Sequence, residues 1–381
     1  MKNIFNLFLL ILVIFYSPFN GYGRERQSMI FYVGTYTSAD SQGIEAYRLQ
    51  PEAGKLQFVK IFPGIRNASF LRFSANGRFL YAVNELSEWH QRPSGAVSAF
   101  AVDPQNGDLH LINQVSSQGR APCYLTVSAN GHFVLFNNYL DGTALSYSVR
   151  NDGGLGALIS LMRFHGSGIV KGRQDAPHVH SINLNPQNTF ALVADLGTDH
   201  LTVLAFNDRS GELSKVRTVQ TAPGSGPRHT VFSADGTYLY VANELSNSVD
   251  VYSFVPSSGL MSHLQTVSTL PANVSAINYP ADIHLSPDGR FLYVSNRGHE
   301  SIARFSVQSS KGTLSFLGTD SVYGSWPRNF GLTPDGAFLI VANQKSHNLV
   351  LFRRNAQTGR LQKVDEIATV AAPACIAFLP F

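Results

Sequence analysis

Charge is scarce in this chain of 381 residues: Asp, Glu, Lys and Arg make up 14% of it, against 44% hydrophobic residues. Helical surfaces draw heavily on Lys, Glu and Arg. A chain this poor in charge and rich in Gly, Phe, Tyr and Val points to sheet. No cluster of basic residues forms a stripe. The strongest basic run is Arg353-Arg354, and the formal charge is a modest +4. Nucleic acid is therefore not an expected partner. HExxH, CxxC and EF-hand patterns are missing. "PHVHS" (177–181) offers two histidines on one side of a strand but fixes no third ligand. "GSGIVKG" (166–172) lacks the strand-then-helix context of a phosphate loop. No metal and no cofactor are expected.

Cysteine is nearly absent too, with only Cys123 and Cys375. They fall in units that are not neighbours in the repeat described below. A bridge needs Cα atoms within about 7 Å, so free thiols are expected, with Cys123 a small buried residue before a nucleophile.

The first residues read as an export signal. Lys2 is a short basic region, and Ile4 to Tyr16 is an apolar run broken only by Asn6, short for a permanent bilayer span. Gly21 and Gly23 offer small residues for cleavage. The expectation is a signal peptide over 1–23, a mature domain over 24–381, and an exported, periplasmic or secreted monomer with no stable membrane insertion after cleavage. A retained anchor is the other reading.

One pattern dominates the rest: "SANGRFLYAVNE", "SANGHFVLFNNY", "NPQNTFALVADL", "SADGTYLYVANE", "SPDGRFLYVSNR" and "TPDGAFLIVANQ". Their turn residues are Gly77, Gly131, Asn188, Gly236, Gly289 and Gly336, separated by 47 to 57 residues. "MIFYVGTY" (29–36) fits the same run without its preceding strand, which "PACIAFLPF" (373–381) can supply. Asn-Gly and Asp-Gly between apolar runs mark hairpins. Four strand-like runs per unit, repeated this way, predict an all-β, seven-bladed β-propeller. Pairing the C-terminal strand with the N-terminal blade closes it.

In such a hairpin the start of the first strand and the end of the second lie together, at the axial rim. Overlaying the units there gives Ser69, Cys123, His180, Arg228, Ala281, Arg328 and Ala374 in one column. A second column holds Glu85, Tyr139, Leu196, Glu244, Arg297 and Gln344. The preceding position is almost uniformly Asn or Asp (84, 138, 195, 243, 296, 343). That column is architecture, of the kind that bonds its own turn backbone. The variable columns carry charge. His180, Arg228, Glu244, Arg297 and Arg328 should converge on one cationic mouth suited to a small anion.

Each residue also has a plainer reading. Arg228 and Glu244 could simply tie two strand ends. His178 or His180 could bond backbone. His229 should pack on the other face, and Arg297 could sit in a solvated loop. Trp89 and His90, beside Glu85, could form part of the wall. Asp282, His284 and His347 are weaker candidates.

The segments "GPRHTVFSADGTYLYVANELSNSVDVYSF", "YPADIHLSPDGRFLYVSNRG", "WPRNFGLTPDGAFLIVANQKSHNLVLF" and "FYVGTYTS" resemble the seven-bladed lactonase family of the bacterial 6-phosphogluconolactonase type. The same superfamily resembles fungal carboxymuconate cycloisomerases. The resemblance implies a rim of one His, two Arg and one Glu, matched here by His180, Arg228, Glu244 and Arg297, and a metal-independent reaction on a lactone. His180 or Glu244 would act as base, with Arg228, Arg297 and Arg328 binding charge and Glu85 and Gln344 completing the substrate contacts. The expected substrate is a small anionic lactone. A lactonizing cycloisomerase of the muconate type and a non-catalytic binding propeller are the alternatives.

Overall fold

The computed structural model describes residues 28–37 and 43–380, and strands, turns and connections account for all of these. The segment read as an export signal lies outside the described residues. Seven sheets of four antiparallel strands follow one another along the chain. The exception to chain order is one sheet, Ala372–Phe378, Met29–Tyr36, Gly43–Gln50 and Lys55–Pro63. There the last strand pairs with the first, Val33 opposite Ile376 and Phe31 opposite Phe378. The protein is a seven-bladed β-propeller closed by its C-terminal strand, as the repeat predicts.

The recurring turns form for a local reason. The hydroxyls of Ser74, Ser128, Ser233, Ser286 and Thr333 accept the backbone N–H five residues on, at 2.9–3.0 Å. The turn glycines 77, 131, 236, 289 and 336 hold φ between 65° and 74°, where a Cβ is costly. The central strands are buried almost throughout, as in Tyr238–Asn243, while the outermost strands alternate with solvent, as in Leu213–Gln220.

The core sits between blades. Leu192, Ala194, Leu201 and Val203 of one blade pack against Leu239, Val241, Tyr252 and Phe254 of the next. Phe31, Val33 and Tyr47 meet Phe338, Ile340 and Leu351 across the closure. Each such side chain contributes about 1.5–3 kcal/mol by leaving water, and a lone blade would forfeit most of it.

The Asn/Asp column acts differently from expectation. Only Asp195 bonds the backbone of its own turn, at Gly197 N, while Asn138, Asn243 and Asn296 reach the hydroxyl that closes theirs. Asn84, Asn138, Asn296 and Asn343 donate to carbonyls of the preceding connection, at Arg66, Ser117, Thr269 and Val322. They fasten the link leading into each innermost strand to the end of the second strand.

Candidate functional site

The first rim column has a structural cause. The innermost strands Pro122–Val127, Val179–Leu184, Pro227–Phe232, Pro327–Leu332 and Ala372–Phe378 each carry a β-bulge. The residues left outside the ladder are Cys123, His180, Arg228, Arg328 and Ala374. A bulge re-aims a side chain without ending the strand. In most of these blades a proline precedes the bulge, at 122, 227, 327 and 373, where its missing N–H does no harm. In Tyr279–Leu285 the register also shifts by one residue, with Ala281 and Asp282 lying opposite Ser295.

Glu244 is the electrostatic hub. Its Oε2 accepts from Arg297 Nη2 at 2.6 Å. Arg228 Nε lies 3.0 Å from the same oxygen, an ion contact whose N–H points off line. Its Oε1 takes a short contact from Arg173. Burial alone would raise its pKa, but Arg297, Arg228 and Arg173 together hold the carboxyl well below the usual range. Arg228 is buried, with Arg297 and Arg328 nearby, and its pKa falls to about 9. Burial likewise lowers that of Arg297. Arg297 is no solvated loop residue: it is buried, donates to Tyr279 O and stacks over Trp326.

His180 faces Cys123 Sγ at 3.7 Å, and its ring meets those of Tyr139 and His229 at 5.3 Å. Burial first, then Arg228, pushes its pKa well below 6.5, so the ring is neutral near pH 7. His178 is the histidine of the pair that contacts backbone, at Tyr139 O. His229 does not pack on a separate face as the alternation suggests. The bulge shifts the phase, and His229 joins the buried polar cluster, 3.2 Å from Arg228 Nη1 and 2.8 Å from Asp282 Oδ1. Cys123 and Cys375 are buried free thiols. Burial raises both to about 12, which removes the thiolate a nucleophile needs.

Arg328 and Glu85 form a second cluster. Tyr36 Oη and Ser69 Oγ each donate to Glu85 Oε2 at 2.6 Å. Arg328 lies over the Tyr36 ring at 5.0 Å and 3.9 Å from Glu85. Among the described residues no hydrogen bond holds its guanidinium, in contrast to the other three arginines. Gln344 stands apart. Its backbone N–H donates to Trp326 O, and its side-chain oxygen is buried without a partner. Trp89 and His90 line a separate cavity of about 470 Å³ with Arg92, Ser116 and Gln118.

Sequence reasoning missed Arg173 and ranked Asp282 only among the weaker candidates. Arg173 comes from residues 164–178, the longest connection between blades, held inward by buried Gln174 through Leu196 O and Asp199 Oδ1. Loop length was the available signal. A cavity of about 400 Å³ is lined by Arg72, Tyr124, Asn183, Asp282 and His284. Among the described residues no group of three or more His, Cys, Asp or Glu could hold a metal ion.

The family model described as "Lactonase, 7-bladed beta-propeller" matches residues 30–378. A 6-phosphogluconolactonase of Formosa agariphila is 38% identical over 341 residues, 88% of this chain and 95% of that protein. The Bacillus subtilis 6-phosphogluconolactonase is 35% identical over 350 residues, 92% of this chain and 98% of its own. Among solved structures, a periplasmic gluconolactonase of Pseudomonas aeruginosa superposes with a TM-score of 0.86 at 32% identity, covering 93% and 99% of the two chains.

Proposed function

The chain belongs to the seven-bladed β-propeller lactonase family, and on that premise we propose that it hydrolyses an anionic sugar lactone, without a metal ion, at the arginine-lined mouth. The observation that carries the anionic preference is Arg328. Arg173, Arg228 and Arg297 are all drawn to Glu244. Arg328 has only a stacked ring and a 3.9 Å ion contact, so its five donors are open to a carboxylate or phosphate. Four guanidiniums against Glu244 and Glu85 leave the mouth cationic.

His180 is the favoured base. Glu244 has both oxygens engaged by guanidiniums and holds its proton weakly. Neutral His180, with Nδ1 turned to Cys123, can take a proton on Nε2. In the step, water oxygen bonds to the lactone carbonyl carbon while His180 receives its proton. The oxyanion forms beside Arg228 and Arg297. The ring C–O bond then breaks, and His180 returns the proton to the leaving alkoxide. The product is an open hydroxy acid. Export of the protein, suggested by the apolar run Ile4 to Tyr16, would bring unphosphorylated aldonolactones into reach; N-terminal sequencing of the mature protein tests it.

The test is acid release in a pH-stat from phosphorylated and plain aldonolactones, with and without EDTA. Activity that survives chelation is expected. Arg328→Ala should raise KM for the phosphorylated substrate about tenfold or more, the loss of one charge-assisted contact, and change the plain lactone less. A folded protein inactive on every lactone, or an Arg328→Ala variant indifferent to phosphate, overturns the reading.

A further inference from the structure

His229 and Asp282 lie just beneath the rim, both buried, and the proposed reaction assigns them no part. Their hydrogen bonds fix each other's state. A guanidinium has donors only, so the 3.2 Å contact from Arg228 Nη1 requires a lone pair on His229 Nε2. The proton of a neutral imidazole must then sit on Nδ1, which faces Asp282 Oδ1 at 2.8 Å. The other oxygen of Asp282 is approached by His284 Nε2 at 2.8 Å and Asn329 Nδ2 at 2.5 Å. It also accepts, more weakly, from Phe330 N at 3.3 Å. Asp282 is therefore clamped from neighbouring strands. Rings box His229 on its sides: Tyr124 at 5.0 Å, His180 at 5.3 Å and Phe70 at 6.0 Å, all edge to face.

We propose that Asp282 and His229 are positioning residues. Asp282 selects the Nδ1–H tautomer of His229, and the Nε2 lone pair then aims the Arg228 guanidinium at the mouth. The inference rests on the reading of that mouth as the place of lactone hydrolysis.

The choice of a histidine has a physical reason. Arg228 already contacts Glu244 and donates to Ala281 O at 2.5 Å. A further carboxylate in direct contact would orient the guanidinium but also cancel its charge. A neutral imidazole orients it and leaves the charge for the oxyanion. Burial and the neighbouring Arg228 push the pKa of His229 down to about 3, which keeps the ring neutral at any working pH. Asp282 follows the bulge of its own innermost strand as His229 follows that of the preceding blade, two residues after Pro280 and Pro227, so the carboxylate of one blade faces the imidazole of the next.

Two measurements test this separately from the function itself. Long-range ¹⁵N–¹H NMR on the wild-type protein should show His229 with a protonated Nδ1 and a bare Nε2. The opposite tautomer, or a doubly protonated ring, overturns the inference whatever the activity. Kinetics on an aldonolactone then compare His229→Gln, whose amide oxygen can replace the Nε2 acceptor, with His229→Leu, which has none. His229→Gln should keep kcat within a fewfold. His229→Leu and Asp282→Asn should lose about a hundredfold in kcat with KM little changed, the scale of a misplaced catalytic group. Equal losses in the Gln and Leu variants, or losses that follow Tm alone, overturn the proposal. A wild-type protein inactive on every lactone instead defeats the functional reading and leaves the tautomer measurement to decide this one.

Discussion

Glu244 shows how much one side chain can hold. It is almost fully buried and meets Arg173, Arg228 and Arg297. Buried charges are tolerated when paired, and removing one partner leaves the others exposed to the low-dielectric interior. Glu244→Gln should therefore cost about 3–5 kcal/mol of stability as well as activity, since three guanidiniums would lose their counter-ion. Urea titration measures the cost. A variant as stable as wild type would show that the arginines are neutralised elsewhere. Arg173, with a side chain 35% exposed against 2% for Arg228 and 6% for Arg297, is the outermost of the three arginines around Glu244.

At the scale of elements, the connection 164–178 depends on a close backbone approach. A Cβ on Gly197 would lie 1.9 Å from Ala176 O. Gly197→Ala should displace the segment that carries Arg173 while leaving the strand ladders intact. The expected outcome is unchanged far-ultraviolet dichroism, faster proteolysis within 164–178, and reduced kcat/KM. An unaltered cleavage pattern would count against it. Turn glycines and apolar runs repeat, so the blades, the closure and the rim columns were legible from overlaying units. Arg173 was not, because its loop has no counterpart in the other blades to overlay. Asp282 was ranked as a weaker candidate because the rim column of its blade falls on Ala281, and the residue after the bulge was expected to face away. His229 was assigned to packing for the same reason: alternation assumes an unbroken ladder. Arg228, His180 and Arg328 were found because every bulge of one residue shifts its blade alike.

For the whole molecule, acid is the informative stress. His180 and His229 are kept neutral in the fold, with pKa values below that of an unfolded histidine. As pH falls below about 6.5 the unfolded chain takes up protons that the folded chain refuses, and each such histidine subtracts up to about 1.4 kcal/mol per pH unit. Glu244 and Asp282, held ionised by their partners, act in the same direction below about pH 4. Stability should therefore drop steadily from about pH 7 to pH 4.5, with a shallower slope in His229→Gln. Calorimetry that finds one Tm at both ends of that range would contradict the buried neutral state. The loss should be cooperative, because the axial groups bridge blades. Ile376 of the closing strand donates to Asn329, and Asn329 donates to Asp282. Scaffold and reactivity are nonetheless written in different places. The ladders depend on paired residues, whereas His180, Arg228 and Arg328 stand outside the strand pairing at the rim. Descendants of such a ring can exchange those few positions, Ala374 among them, and acquire new substrates without relearning how to fold.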